Sequence, residues 1–186
     1  MNTSHTSKVR VDDVLKFWFL QIEPKQWWLK DSQIDLQICN TFGTTLVAAI
    51  KGELSHWRQD TQGRLAEIIV LDQFSRNIHR DTPAAFAADN IALVLAQEAV
   101  ALGGLAQLPI QQRGFLLMPY MHSESIMIHQ QAMPLFEQYA PHNLQSKRRH
   151  QAIIAQFGRY PHRNAILGRD SSAAEIAFLT QPGSSF

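Results

Sequence analysis

The run Ile68-Ile69-Val70-Leu71 is apolar on every side and passes without a break into Asp72-Gln73-Phe74-Ser75-Arg76-Asn77-Ile78-His79-Arg80. A helix that is apolar all round is a buried helix. Four branched apolar residues also suit a strand, but Arg64-Leu65-Ala66-Glu67 before them and Asp72-Gln73-Phe74 after them extend a helical pattern. The spacing therefore predicts one buried helix from about Thr61 to Asn77. Its end leaves the core carrying polar groups, each costing about 1–3 kcal/mol if unsatisfied. The rest of the chain must supply their partners, or a ligand must.

Helical signals fill the remainder. Asp12 and Asp13 suit a helix N-terminus, with Val11, Val14, Leu15 and Trp18 on one face and Pro24 as a stop. Asp31 is a candidate N-cap for a helix whose inward residues are Ile34, Ile38, Phe42, Thr45 and Ala49; Gly52 closes it. Thr82-Pro83 opens the next, with Ala87, Ile91, Val94, Leu95, Glu98 and Leu102 on one face and Gly103-Gly104 at its end. Pro109 starts another, and Pro119 kinks it or begins a further one. Helices follow over 123–139, with Ile126, Met127, Met133 and Phe136 inward and a bend at Pro134, and over about 143–157, with Ile153, Ile154 and Phe157 inward. Ser172 and Glu175 form a capping box before a last helix that faces Ile176 and Leu179 inward.

No stretch alternates with period two. The expectation is an all-α fold of seven to eight antiparallel helices: a tail over 1–10, one helical domain over 11–181 and a flexible C-terminus over 182–186. A length of 186 residues buries a sizeable core without staples. No repeat stands out at thirty-four residues.

Charge excludes some function classes. Seventeen Lys and Arg against sixteen Asp and Glu leave +1, which argues against nucleic acid as a partner. Lys147-Arg148-Arg149-His150 reads as a solvated helix face. No apolar run reaches membrane-spanning length and no secretory signal is visible, so a cytoplasmic protein is expected. Cys39 is the only cysteine and sits beside Ile38 and Phe42, which suggests a buried, inert thiol in a reducing compartment. Trp18, Trp27 and Trp28 with Phe17 and Phe19 read as core, while Trp57 caps the core or rims a pocket. The eight histidines show no ligand spacing, and no phosphate-loop, dinucleotide or HExxH motif occurs, so neither metal nor other cofactor is expected.

Three segments carry the polar chemistry. In the first, Asp72 and Arg76 stand four residues apart and can pair, with Gln73, Asn77 and Arg80 on an adjacent face. The second is Pro119-Tyr120-Met121-His122-Ser123-Glu124; neighbouring helical residues do not face one another, so Ser123 is assigned to a helix cap, Glu124 to the dipole, and His122 is left as an acid–base candidate. The third, Phe157 to Arg169, holds Arg159, Arg163, Arg169, His162 and Asn164 in a turn-rich stretch. Arginine offers a planar donor fork suited to carboxylate or phosphate.

These segments resemble the bacterial domain-of-unknown-function family 924, in the runs LDQFSRNIHRDTPAAFAAD (71–89), PYMHSE (119–124) and FGRYPHRNAILGR (157–169), with VLKFWF and WWLKDSQID near the start. The resemblance spans about residues 12–180 and implies a tetratricopeptide-like α-α superhelix. It implies no established activity, so no catalytic roles carry over.

Two readings follow. In the first, Asp72, Gln73, Arg76, Asn77, Arg80, Arg159, Arg163, Asn164 and Arg169 line a site for an anionic small molecule, with His122, Glu124 or His162 as catalytic candidates. In the second, the polar set locks the fold, and the helices dock a protein partner or a second copy of the chain.

Overall fold

The computed structural model describes residues 9–185 and, among them, holds helices and no strand. The expected 1–10 tail therefore lies almost wholly outside the described residues, as does Phe186. The helices are α1 (Val11–Lys16), α2 (Ser32–Ile50), α3 (Thr61–Ile69), α4 (Ser75–Ile78), α5 (Asp89–Ala101), α6 (Gly104–Gln107), α7 (Ile110–His122), α8 (Ile126–Tyr139), α9 (Leu144–Phe157) and α10 (Ala173–Leu179). A π-helical turn, Val70–Phe74, joins α3 to α4 in one rod, which is the buried helix expected over 61–77.

Local chemistry sets the ends. Asp31 accepts from the amides of Gln33 and Ile34, and Asp60 from Gly63. Gly63 has a second duty: a Cβ there would fall 1.7 Å from the carbonyl oxygen of Trp57, so the turn before α3 closes only on glycine. The Ser172–Glu175 capping box forms as expected. Gly158 ends α9 in the left-handed region, at φ 70°.

The rod is the centre of the molecule: α2, α5 and α7 pack on it, α8 packs on α7, and α9 on α8. Ile68, Ile69, Val70, Leu71 and Phe74 are fully buried. Phe74 meets Phe17, Phe42 and Trp18 edge-on or tilted, and Phe115 closes the aromatic cluster. Each such ring pair contributes about 0.5–1.5 kcal/mol beyond area burial. A second, smaller core of Ile153, Ile154 and Tyr160 lies under Phe157 and Phe178.

Several inward assignments are corrected. Helix α5 with its cap residue buries Ala88, Ala92, Leu95, Ala96 and Ala99, while Ala87, Ile91, Val94, Glu98 and Leu102 face out. It packs on both α3 and α7, and at those crossings small side chains admit a close approach that branched ones would prevent. Met127 and Ile176 are exposed rather than inward, and Cys39 is exposed rather than buried. Trp28 is 60% exposed and stacks on Phe115 from outside. Trp57 is buried in the core. Lys147 and His150 are buried, so the 147–150 run is not one solvated face; only Arg148 and Arg149 are in solvent.

Among the described residues one segment, Pro83–Ala101, has the length and apolarity of a membrane span, 19 residues with an 18-residue window of mean hydropathy 1.3, against the expectation that none would. Its alanine face packs into the bundle, and its Asp89 is ion-paired to two arginines.

Candidate functional site

The π turn in the rod determines what stands at its end. Such turns leave the regular hydrogen-bond ladder and are frequent at functional sites. Here side chains serve the freed backbone: the carbonyl of Leu71 accepts from the Ser75 hydroxyl, and that of Asp72 from Arg76. The Asp72 carboxylate is fully buried. It accepts from Gln73 Nε2 at 2.6 Å and from Arg76 at 3.3 Å, and lies 2.8 Å from His122 Nδ1 at the C-terminal end of α7. Burial alone would raise its pKa; the Arg76 guanidinium and the hydrogen bonds from the His122 ring and Gln73 outweigh that and hold it below the usual carboxylate range. Burial, with Arg76 alongside, keeps the His122 imidazole below its ordinary pKa against the pull of Asp72. A neutral ring beside an ionised carboxylate carries its proton on Nδ1 and donates it. Nε2 then presents a lone pair. His122 is 12% exposed, and its Nε2 makes no hydrogen bond among the described residues.

Asp89, at the start of α5, joins a second arginine to this pair. One of its oxygens accepts from Arg76 at 3.0 Å and from Arg163 at 3.2 Å. Arg163 also donates to the carbonyl of His122. Its guanidinium lies between the Phe86 and Tyr160 rings, 4.6 Å from each centroid. Burial, then repulsion from Arg76, pushes the Arg163 pKa down from its ordinary value. Two guanidinium groups and two carboxylates leave the cluster without net charge around a neutral imidazole. Two of its polar atoms, Asp89 Oδ1 and Arg163 Nε, are buried with no partner. Orphaned groups of this kind are rare in folded proteins because each costs about 1–3 kcal/mol.

The other expected site residues fall into separate pairs. Arg80 grips Asp35 of α2 with two bonds of 2.6 and 2.7 Å, and Asn77 donates to the same carboxylate at 2.7 Å. Arg169 grips Glu124 at 2.7 and 3.0 Å and donates to Asn164 Oδ1; Glu124 also accepts from the Tyr160 amide. Arg159 grips Glu175 through two bonds and reaches the Asp170 carbonyl. Each is a bidentate fork on one carboxylate, the strongest form of the pair. Together they tie α2 to the rod, the 157–169 turn to the 122–126 loop, and α10 to that turn. His162 sits in the same turn, half-buried beside Tyr160, its pKa pushed down by burial to about 4. Ser123 does not cap α8. Ser125 occupies the cap position, and the Ser123 hydroxyl accepts from its amide. Glu124 meets Arg169 rather than a helix dipole.

Outside the Asp72–His122 dyad, a buried lysine beside His129 carried no sequence signal. Lys147 is fully buried, and its Nζ donates to His129 Nδ1, to the His129 carbonyl and to Gln151 Oε1, all within 3.0 Å. Accepting from Lys147 at Nδ1 fixes the His129 proton on Nε2, which donates to the Ser123 carbonyl at 2.9 Å. Burial, then Lys147, pushes His129 down to about 4, and burial pushes Lys147 down to about 8. Asp89, Phe86 and Tyr160 were also missed as site members. Asp89 ends the polar run of residues 71–89 and Tyr160 lies inside the third segment, so both were within reach of the same reading.

Two open surface depressions lie apart from the dyad. One, of about 370 Å³, is bounded by Val9–Asp12, His56 and Trp57. The other, of about 390 Å³, lies beside Arg159 and Glu175. Among the described residues no group of histidine, cysteine and carboxylate side chains is arranged to hold a metal.

Residues 14–183 match the family model described as bacterial protein of unknown function, DUF924. A solved structure of a protein of unknown function from Agrobacterium tumefaciens is similar, with a TM-score of 0.86 and 32% identity, over 91% of this chain and 96% of that one. No curated protein matches.

Proposed function

The chain belongs to the bacterial family of unknown function DUF924, and on that premise we propose that it is a small-molecule enzyme in which His122 moves a proton. The observation that carries this reading is the Asp72–His122 pair: a buried carboxylate 2.8 Å from Nδ1, with Nε2 unpaired at the edge of the fold. A carboxylate in this position fixes the tautomer and stabilises the imidazolium that forms when Nε2 takes a proton. A neutral resting imidazole is the form a general base requires.

Arg163 Nε and Asp89 Oδ1 supply the ligand contacts. One donates and the other accepts, so together they suit a small polar group that can do both, such as a protonated carboxyl, a primary amide or a hydroxyl. An anion is received by Arg163 and Arg76 when Asp89 gives up its place. The three forked pairs of Arg80, Arg159 and Arg169 hold the walls and take no part in the ligand.

The tetratricopeptide-like order of the helices remains our proposal, supported by the successive packing of α7 on α8 and α8 on α9. A cytoplasmic location is supported by the single exposed thiol.

The test is equilibrium dialysis of the protein against a defined mixture of small carboxylic acids, amides, hydroxy acids and phosphate esters. Wild type is expected to retain a subset that His122→Gln and Arg163→Gln, folded to the same circular dichroism spectrum, release at least tenfold more readily. Equal retention by all three proteins, or none by wild type, contradicts the reading.

A further inference from the structure

We infer that the outer face of α2 is the seam of a two-fold homodimer, with Gly43 on the axis. From Leu36 to Ile50 the helix carries no charged residue. Ile34, Ile38, Phe42, Thr45, Leu46 and Ala49 turn into the core. The opposite face is open: Leu36 is 61%, Val47 51% and Ile50 42% exposed, Cys39 is exposed, and a Cβ on Gly43 would meet nothing within 4 Å. A fifteen-residue stretch of helix without a charge, open along its outer face, is unusual for a surface that meets only water.

What covers it follows from the spacing. Counted from Gly43, Leu36 and Ile50 stand seven residues away on either side, and Cys39 and Val47 four residues away. Two copies of α2 crossing antiparallel at Gly43 therefore set Leu36 on the partner's Ile50 and Cys39 on the partner's Val47. A two-fold interface needs this self-complementary pattern, in which one patch meets itself. The ends agree in charge: Asp31 caps the N-terminal end and Lys51 follows the C-terminal end, so the antiparallel copy brings acid to base and opposes the two helix dipoles. Gly43 allows the backbones to approach at the crossing. A seam of one helix pair sits at the low end of stable interfaces, so the expected dissociation constant is about 10 µM.

Sedimentation velocity over a range from well below to well above that concentration reads the monomer–dimer equilibrium. Wild type is expected to pass from monomer to dimer, and Val47→Lys, on an exposed position that leaves the core untouched, to stay monomeric. Register is read by a short bismaleimide. Val47→Cys places a thiol against the partner's Cys39 and is expected to give covalent dimer in high yield. In wild type the two Cys39 positions stand about 12 Å apart along the axis and cross-link poorly. A monomer throughout the range, a dimer that survives Val47→Lys, or equal cross-linking of wild type and Val47→Cys overturns the inference.

Discussion

Asp72→Ala is expected to lower the stability of the protein by about 3–5 kcal/mol, the range found when one partner of a buried ion pair is removed. Asp72 is the one carboxylate shared by Arg76, His122 and Gln73, and it is fully buried. Its loss leaves the Arg76 guanidinium dependent on Asp89 alone, and Asp89 is already shared with Arg163. Asp72→Asn keeps the shape and one acceptor oxygen, so it is expected to cost about half as much while removing the charge that selects the His122 tautomer. His122→Gln, at the edge of the fold, is expected to cost no more than about 1.5 kcal/mol. Urea unfolding of the four proteins checks this order. The expected pattern has Asp72 as the keystone and His122 as the residue the fold can spare.

Mild acid is expected to unfold the protein before its carboxylates titrate. His129, His150 and His162 are held by burial to about 4, 3 and 4. The unfolded chain binds these protons near pH 6.5, whereas the folded chain refuses them until pH 4 or below. Stability is therefore full above pH 6.5 and falls as the pH drops through 6.5 towards 4, because the unfolded state then binds more protons. Each histidine contributes a slope of about 1.36 kcal/mol per pH unit. Allowing for local relaxation, the loss between pH 6.5 and 5 is on the order of 4 kcal/mol. His129 has a structural reason for its share: a proton on Nδ1 would face the Lys147 ammonium that now donates to it. The depressed carboxylates Asp35, Asp72 and Glu124 act in a lower window, stabilising the fold above pH 4 and ceasing to do so as the pH falls further. Midpoints of urea unfolding at half-unit steps from pH 7.5 to 4.5 check the prediction. A flat profile down to pH 5 contradicts it.

The fold class and the rod over 61–77 were legible because an apolar run without polar interruption has one outcome in a helical chain. The rod's polar end was legible for the same reason, since burial forced its groups to be satisfied. Asp72 and Arg76 came from that argument, and His122 from the separate 119–124 segment, where it was the one acid–base candidate left. What the sequence concealed depends on distance between helices rather than on residue type. The alanine face of α5 is inward because α3 and α7 come close, and hydropathy ranks Ile91 and Val94 above the alanines that displaced them. Lys147 reads as solvated beside Arg148 and Arg149, yet its three acceptors come from α8 and from its own helix. Arg80, Arg159 and Arg169 share one donor chemistry with Arg76 and Arg163. Only the positions of Asp35, Glu175 and Glu124 separate staples from the cluster around His122.

The central claim is the state of one imidazole, and ¹⁵N-detected NMR of the histidine rings at pH 7 measures it directly. His122 is expected to be neutral, with its proton on Nδ1 and Nε2 unprotonated, and Asp72→Asn is expected to release that preference. His129, with its proton on Nε2, serves as an internal reference of the opposite tautomer. A His122 ring that is doubly protonated at pH 7, carries its proton on Nε2, or keeps its tautomer unchanged in Asp72→Asn would contradict the account.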